Sequence, residues 1–353
     1  MIIKFKIIYL FFLQKYKVYK SSKAFNRRYN QYDPILFSHN IDKNTIRKYK
    51  EKWSVLGAKV ETNTFELSYN LSGIIDYNIV PENLFAAIIE QKLNPYIELS
   101  FFSIKNIYEK WFDMAMVFPI SYFHKIDGVF YDKEFRIIED INLFIVNSSF
   151  SFPLILKPSK DSYGGNGVTK VINKLDLLER LEDFEHFVVQ ELILQNRYLS
   201  TINDSSVNSV RSCLFRDKSG KFKILNNSMR FGVDGGLDNE TAGGIVCNIS
   251  DDGNLNNYAV NKFAKKFFEH PNSGIRFQDI IVPFYEDLNK LIVKISNQIP
   301  VCNLVSLDMT LDIDDNWRCI EINLSGQTIR FAQYAGKGFF GEYTSEVIER
   351  ITK

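Results

Sequence analysis

Clustered cysteine and histidine are missing from this chain. Its four cysteines, Cys213, Cys247, Cys302 and Cys319, stand apart with no CxxC spacing, and no two of its four histidines are close in sequence. Both absences argue against a zinc site, and the first also argues against a disulfide framework, so a reducing cytoplasm is the expected compartment. The opening apolar run, residues 7–13, is far shorter than the roughly 20 residues a membrane-spanning helix needs. No small-residue cleavage site follows it, so no signal peptide is expected. A GxxxxGK[ST] phosphate loop and a GxGxxG dinucleotide fingerprint are absent. Neither an internal repeat nor a low-complexity linker divides the 353 residues.

What is present is an ordinary globular composition, 45% hydrophobic and 24% charged, which excludes wholesale disorder and suits two or three domains. The net charge of +1 hides an asymmetry, because the first 50 residues carry 12 Lys and Arg against only Asp33 and Asp42. Lysines beside Phe, Leu and Tyr in residues 1–20 suit a helix lying on an anionic bilayer surface, and equally a helix packed on its own protein. Nucleic-acid binding is not expected, since nothing downstream resembles a recognition module. Residues 41–95 read as mainly helical, with candidates at 43–56 and 81–93. Further helices are expected at 258–269 and 284–299, with His270 at a helix end.

Acidic groups come together by register alone in SLDMTLDIDDNWRCIEIN, residues 306–323. Apolar residues alternate with Ser306, Asp308 and Thr310, the period of a half-buried strand, and Asp314-Asp315-Asn316 reads as a turn. A two-residue turn centred on Asp314-Asp315 pairs Met309 with Ile320 and Leu307 with Ile322, and sets Asp308 opposite Glu321. Asn323 then projects from the same face as Glu321. Opposed carboxylates repel unless a cation or proton lies between them, and a hard divalent ion such as Mg²⁺ fits. The alternative is a solvated hairpin whose acids face water.

A second stretch is FPLILKP followed by SKDSYGGNGV, residues 152–168. A buried-looking strand delivers Lys157, and a loop with Gly164, Gly165 and Gly167 follows at once. Glycines let the backbone approach a polyanion and a strand-held lysine supplies charge, a phosphate-handling arrangement; the alternative is a hairpin turn with incidental glycines. EHFVVQELI, residues 185–193, reads as a strand ending in Gln190-Glu191, whose exposed edge could offer backbone groups to an adenine ring. Strands at 209–215 and 223–229 precede the glycine-rich loop 238–244 and bring in Arg211 and Arg230, which suit phosphate or carboxylate capture as well as they suit surface salt bridges.

Together, FPLILKP, the GGNG loop, VVQELI and the D-x12-E-x-N spacing resemble the ATP-grasp superfamily. The stretch 208–250, with VR, MRFG, DN and AGG in order, looks most like its sugar-transfer-associated branch. The resemblance covers about residues 100–335 and implies an α/β (α+β) ATP-grasp fold, two lobes gripping ATP, behind a basic, mainly helical region 1–100. The lobes would be residues 101–190, with the lysine strand and lid, and 191–353, with the metal-binding hairpin. It implies that Lys157 holds nucleotide phosphates under a lid of Gly164 to Gly167, with Lys105 at an earlier lysine position whose preceding acid is here Ile104. Gln190, Glu191 and Ile193 would form the adenine hinge, mainly through backbone. Asp308, Glu321 and Asn323 would ligate Mg²⁺, as two ions, with Mn²⁺ as a substitute. Arg211, Arg230 and Asn239 match positions near the transferred phosphate and the acceptor, and Gln327, Thr328 and Arg330 fall where acceptor contacts lie.

The implied activity is ATP-dependent carboxylate–amine ligation through an acyl-phosphate, joining an amino acid or amino sugar to a glycan carboxylate in surface-polysaccharide synthesis. Its setting would be the cytoplasm, with residues 1–20 touching the inner face of the membrane. A small-molecule or sugar kinase is the alternative within enzymes, and a non-catalytic nucleotide-binding scaffold is the alternative outside them.

Overall fold

In the computed structural model, residues 2–37, 41–114, 116–160 and 165–353 are described, with side chains from residue 12 onward. Gly164 lies outside the described residues. The chain opens with helix α1 (Ile2–Tyr29), followed by α2 (Lys43–Ser54) and α3 (Asn63–Ser72). Asp42 caps α2 by accepting from Thr45 N at 2.9 Å, and Tyr49 and Trp53, one turn apart, bury the same face. Residues 82–93 form a helical stretch whose middle, Phe85–Ile89, is π-helical.

Two antiparallel sheets follow. The first contains β1 (Ser121–Ile126), β2 (Val129–Asp132), β3 (Leu154–Pro158), β4 (Thr169–Val171) and β5 (Phe187–Glu191), in the order β2-β1-β5-β3-β4. Alternation puts Phe123, Leu154, Leu156, Phe187 and Val189 into one apolar core. Lys157 and Gln190, at the intervening positions, face the other way. The strand expected at residues 185–193 offers no open edge over Phe187–Glu191: β5 pairs with β1 and β3 and is the central strand.

The second sheet contains β6 (Ser209–Arg216), β7 (Phe222–Phe231), β8 (Ile245–Ile249), β9 (Leu255–Val260), β10 (Lys266–Phe267), β11 (Leu304–Leu311) and β12 (Trp317–Asn323), in the order β10-β9-β8-β7-β6-β11-β12. β9 and β10 replace the helix expected at 258–269, because Leu255, Tyr258 and Val260 find cores beside β8 and tertiary burial overrides the helical spacing. His270 is accordingly not a helix-end residue: it is buried, with Nε2 at 2.9 Å from Gly232 O. The helix Tyr285–Asn297 covers one face of this sheet with Leu288, Ile292 and Ile295, against Met309, Leu307 and Met229.

The other face of the second sheet is polar near the middle and apolar toward Phe215 and Leu304. That apolar end shares a core with Tyr49, Trp53, Leu84 and Phe85 of the helical region and with Phe340, Val347 and Ile351 of the C-terminus. A buried ion pair joins the two: Glu82 accepts from Arg330 at 3.3 Å and from the Tyr29 hydroxyl. Arg330 is therefore committed to the helical region. Glu82→Gln should destabilise the fold by about 3–5 kcal/mol in urea unfolding, since it leaves the buried guanidinium without its counter-charge. An unchanged midpoint would show that the pair is not structural.

Candidate active site

β11 and β12 pair as a hairpin in which Asp308 stands opposite Glu321 and Ser306 opposite Asn323. The turn differs from the two-residue one expected. Asp312 N donates to Asn316 O and Asp315 adopts φ +63°, so three residues turn the chain and Leu311 pairs with Trp317. A bulge at Ile320 restores the register, so Met309 faces Cys319 rather than Ile320, while Leu307 still faces Ile322. Between turn and bulge the alternation is inverted, and Arg318, opposite Thr310, projects from the acidic face.

Across the sheet the row continues from Glu321 and Asp308 to Arg211 on β6 and Ser228 on β7. Arg211 grips Asp308 with both fork nitrogens, Nε to Oδ1 at 2.8 Å and Nη2 to Oδ2 at 2.6 Å. Arg230, two positions along on β7, reaches Asp308 at 3.5 Å and Glu240 at 2.9 Å. Burial pushes the Asp308 carboxyl up, but Arg211 and then Arg230 outweigh it and hold the group below its ordinary range. Glu240 behaves alike, with burial overcome by Arg230 and Arg211. Asp238 accepts from Ser209 Oγ, and there burial prevails over Arg230 and raises the pKa. Asn239 lies in the same loop, and its Oδ1 accepts from Thr241 N at 2.8 Å and Thr241 Oγ1 at 2.6 Å.

The first sheet brings the lysines. Lys157 is 5% exposed, and burial, then the Lys105 ammonium, push its pKa down to about 7 against the pull of Glu321. Lys105 is buried in the 3-10 turn Lys105–Ile107, its N–H donates to Ser159 O at 2.8 Å, and its Nζ lies 2.7 Å from Glu321 Oε1. Lys157 of the first sheet and Lys105 of the turn tied to its end therefore share the field of a carboxylate on the second sheet. Gly165 and Gly167 sit at φ +77° and +76°, a region that favours glycine. A Cβ at Gly165 would meet Leu237 at 2.7 Å, so this loop reaches the 232–244 loop of the second sheet.

Between the sheets, Glu191 N donates to Ile120 O at 3.0 Å and its carboxylate accepts from Ile120 N at 3.0 Å. The chain then leaves the first sheet through Ile193, and Leu194 O accepts from Ile313 N of the hairpin turn at 2.8 Å. Arg318 pins this crossing: it bonds Glu191, Asp312 at 3.1 Å and Phe118 O at 3.0 Å. Gln190 donates to Ser121 Oγ at 3.1 Å and keeps a buried Oε1 with no partner among the described residues. Arg318→Met should weaken nucleotide binding about tenfold in a fluorescence titration, because Glu191 loses the cation that fixes the crossing. An unchanged affinity would show that the pin has no bearing on the hinge.

The residues that sequence reasoning missed are Arg318, Asp312, Asp238 and Glu240. A signal existed for the last two, in the glycine-rich loop that follows the Arg230 strand. None existed for Arg318, whose facing is set by the bulge.

The donor set can be tested for a cation. Among the described residues no group of three or more His, Cys, Asp and Glu side chains could hold a metal ion. Asp308, Glu321 and Asn323 are oxygen donors on one face, and an ammonium already stands 2.7 Å from Glu321. Two carboxylates suit Mg²⁺, which draws its other oxygens from phosphates and water.

A family model described as sugar-transfer associated ATP-grasp matches residues 85–347, about three quarters of the chain. No curated protein matches. Among solved structures, the chain is similar to the biotin carboxylase domain of Hydrogenobacter thermophilus 2-oxoglutarate carboxylase, in complex with MgADP, ADP and bicarbonate. The identity is 14%, the TM-score 0.41, and 71% of this chain and 46% of that chain are covered. The ATP-grasp ligase PsnB, complexed with minimal precursor, gives 15%, 0.41, 73% and 64%. Biotin carboxylase from Campylobacter jejuni gives 14%, 0.42, 72% and 46%. The chain spans less than two thirds of the length of each.

Proposed function

Because this chain belongs to the sugar-transfer associated ATP-grasp family, we propose that it is an ATP-dependent carboxylate–amine ligase working between the two sheets. The observation that carries this reading is the placement of Lys157 and Lys105 against the Glu321–Asp308 pair, a cationic face opposite a divalent-cation donor set. The site residues are Lys157, Lys105 and the Gly164–Gly167 loop for the phosphates, Gln190, Glu191 and Ile193 for the adenine, and Asp308, Glu321 and Asn323 for two Mg²⁺ ions, replaceable by Mn²⁺. When bound, the metal neutralises charge on the phosphoryl oxygens.

A carboxylate oxygen of the acceptor attacks the γ-phosphorus, the bond to the bridging oxygen breaks and ADP leaves. Lys157 holds the transferred group as charge spreads over its oxygens. The amine then attacks the acyl carbon of the acyl-phosphate, and phosphate departs. Arg211, once released from Asp308, stabilises the oxyanion of that second step, a preorganised donor of this kind contributing about 3 kcal/mol. Arg230 stays paired with Glu240 and orients the row, and Asn239 fixes the loop beside it. The glycine loop keeps water from the intermediate. Gln327 is the residue proposed to meet the acceptor: its Oε1 accepts from Ser306 Oγ at 2.5 Å and its Nε2 is buried without a partner among the described residues. Arg330, held by Glu82, is not.

The substrates proposed are a glycan carboxylate and an amino acid or amino sugar, in cytoplasmic surface-polysaccharide synthesis. No helix is long and apolar enough to cross a membrane among the described residues. α1 meets the body through Lys17 on Gln91, Asn83 on Ser22 and Tyr29 on Glu82, with Tyr16 and Tyr19 more than 60% exposed. No acid precedes Asp33. This charge suits the anionic inner face of a membrane. Removing residues 1–16 should abolish binding to anionic liposomes; full retention would remove the membrane from the proposal.

The test of the activity is metal-dependent ADP release screened over uronic acids and amino acids, with mass spectrometry of the product. An amide that forms only when acid and amine are both present supports the ligase. A stable phosphoester formed without amine would make the protein a kinase instead, and no ADP release with any glycan fraction would favour a scaffold.

A further inference from the structure

Both carboxylates assigned to the metal are held by cations of the chain itself. Asp308 gives both oxygens to Arg211, at 2.8 and 2.6 Å, and Glu321 gives Oε1 to Lys105 at 2.7 Å. The two pairs differ in how they can open. The Arg211 grip is bidentate and lies within one sheet, between directly paired residues of β6 and β11. The Lys105 pair joins two separate elements. Lys105 comes from a 3-10 turn tied to the end of β3 by its N–H on Ser159 O, whereas Glu321 is on β12. Lys105 also sits close enough to Lys157 to lower its pKa, so two buried lysines face one carboxylate. A polyphosphate arriving there offers Lys105 a stronger and multiply charged partner.

We infer that Lys105 acts as a cation gate. The nucleotide phosphates draw its ammonium off Glu321, and only the freed carboxylate then accepts a divalent ion, so metal enters with or after nucleotide and never before it. The inference rests on the ligase reading of the site and adds an order of binding to it. By linkage, whatever the ammonium costs the metal in the nucleotide-free protein is recovered when nucleotide binds. Lys105 is thus a positioning residue for Glu321 as well as a phosphate contact.

The test is Mn²⁺ binding to the full chain, read from the loss of the free-ion electron paramagnetic resonance signal, with and without ADP. Wild type should bind Mn²⁺ at least about tenfold more tightly in the presence of ADP, after correction for Mn²⁺–ADP in solution. Lys105→Met should raise the nucleotide-free affinity at least about tenfold and shrink the ADP effect. Lys157→Met removes the neighbouring amine without freeing Glu321, and its nucleotide-free affinity should rise by much less. Equal gains in the two variants would mean that the general field, not exchange at Glu321, controls the metal, and would overturn the gate. If Lys105→Met does not fold, wild type decides: nucleotide-free binding as tight as that with ADP overturns the gate. Failure of wild type to bind Mn²⁺–ADP at all would overturn the reading of the site, and the gate with it.

Discussion

Lys157→Met should lower kcat/KM for ATP by about a thousandfold while leaving the fold at least as stable as wild type. The loss follows from removing the strand-held charge proposed to face the phosphoryl oxygens, an electrostatic contact of the kind that contributes about 10²- to 10³-fold. The stability follows from the buried position. Lys157 has a pKa of about 7 in the folded protein, whereas an unfolded lysine titrates near 10.4 at about its ordinary value. Between those two values the unfolded chain binds more protons, so this group's contribution makes the protein more stable as pH rises through the window. Below about pH 7 its burial cost is present in full, and methionine removes it. The same shift predicts that nucleotide binding at pH 8 takes up as much as about one proton, since a polyanion beside Lys157 favours its charged form. Calorimetry in buffers of different ionisation enthalpy measures that uptake. A variant that is both inactive and unfolded, or binding with no buffer dependence, would contradict the role given to Lys157.

Asp308→Asn should fail in two separable ways. It removes a carboxylate from the proposed metal donor set, and it takes from Arg211 its bidentate carboxylate while Arg230 keeps Glu240. Breaking a buried charge pair by deleting one partner costs about 3–5 kcal/mol. Adding Arg211→Met to Asp308→Asn should recover most of that stability, because the uncompensated guanidinium is gone and Arg230 keeps Glu240. The double variant should still release no ADP. Urea unfolding and coupled ADP assays read the two effects apart. If the double variant regains activity with its stability, Asp308 is a structural counter-ion and not a metal donor.

The parts of the site that alternate simply were legible in the sequence. Asp308 opposite Glu321 follows from residue spacing, and Lys157 at the end of an apolar strand follows from the FPLILKP run. Arg318 was not legible, because its facing depends on two local departures that cancel: a three-residue turn shifts the register by one, and the Ile320 bulge shifts it back. Read without them, Arg318 falls on the apolar face and Cys319 on the acidic one. The interior position of β5 was hidden for another reason, since its pairing with β1 and β3 joins segments more than 20 residues away in sequence. The helical reading of 258–269 failed where the spacing of apolar residues suits a helix but β8 offers a partner for Val260 and Ala259. The commitment of Arg330 to Glu82 depends on a contact 248 residues apart.

In the proposed function a magnesium-bound nucleotide lies between the two sheets, with Lys157 on its phosphates and the ion on Asp308 and Glu321. A crystal structure with Mg²⁺ and a non-hydrolysable ATP analogue tests it most directly. The expected result is the ion bonded to both carboxylates, Lys105 moved from Glu321 to a phosphate, and the adenine against the backbone of Glu191 to Ile193. A nucleotide bound elsewhere, or bound here with Lys105 still on Glu321 and no ion beside Asp308, would contradict it.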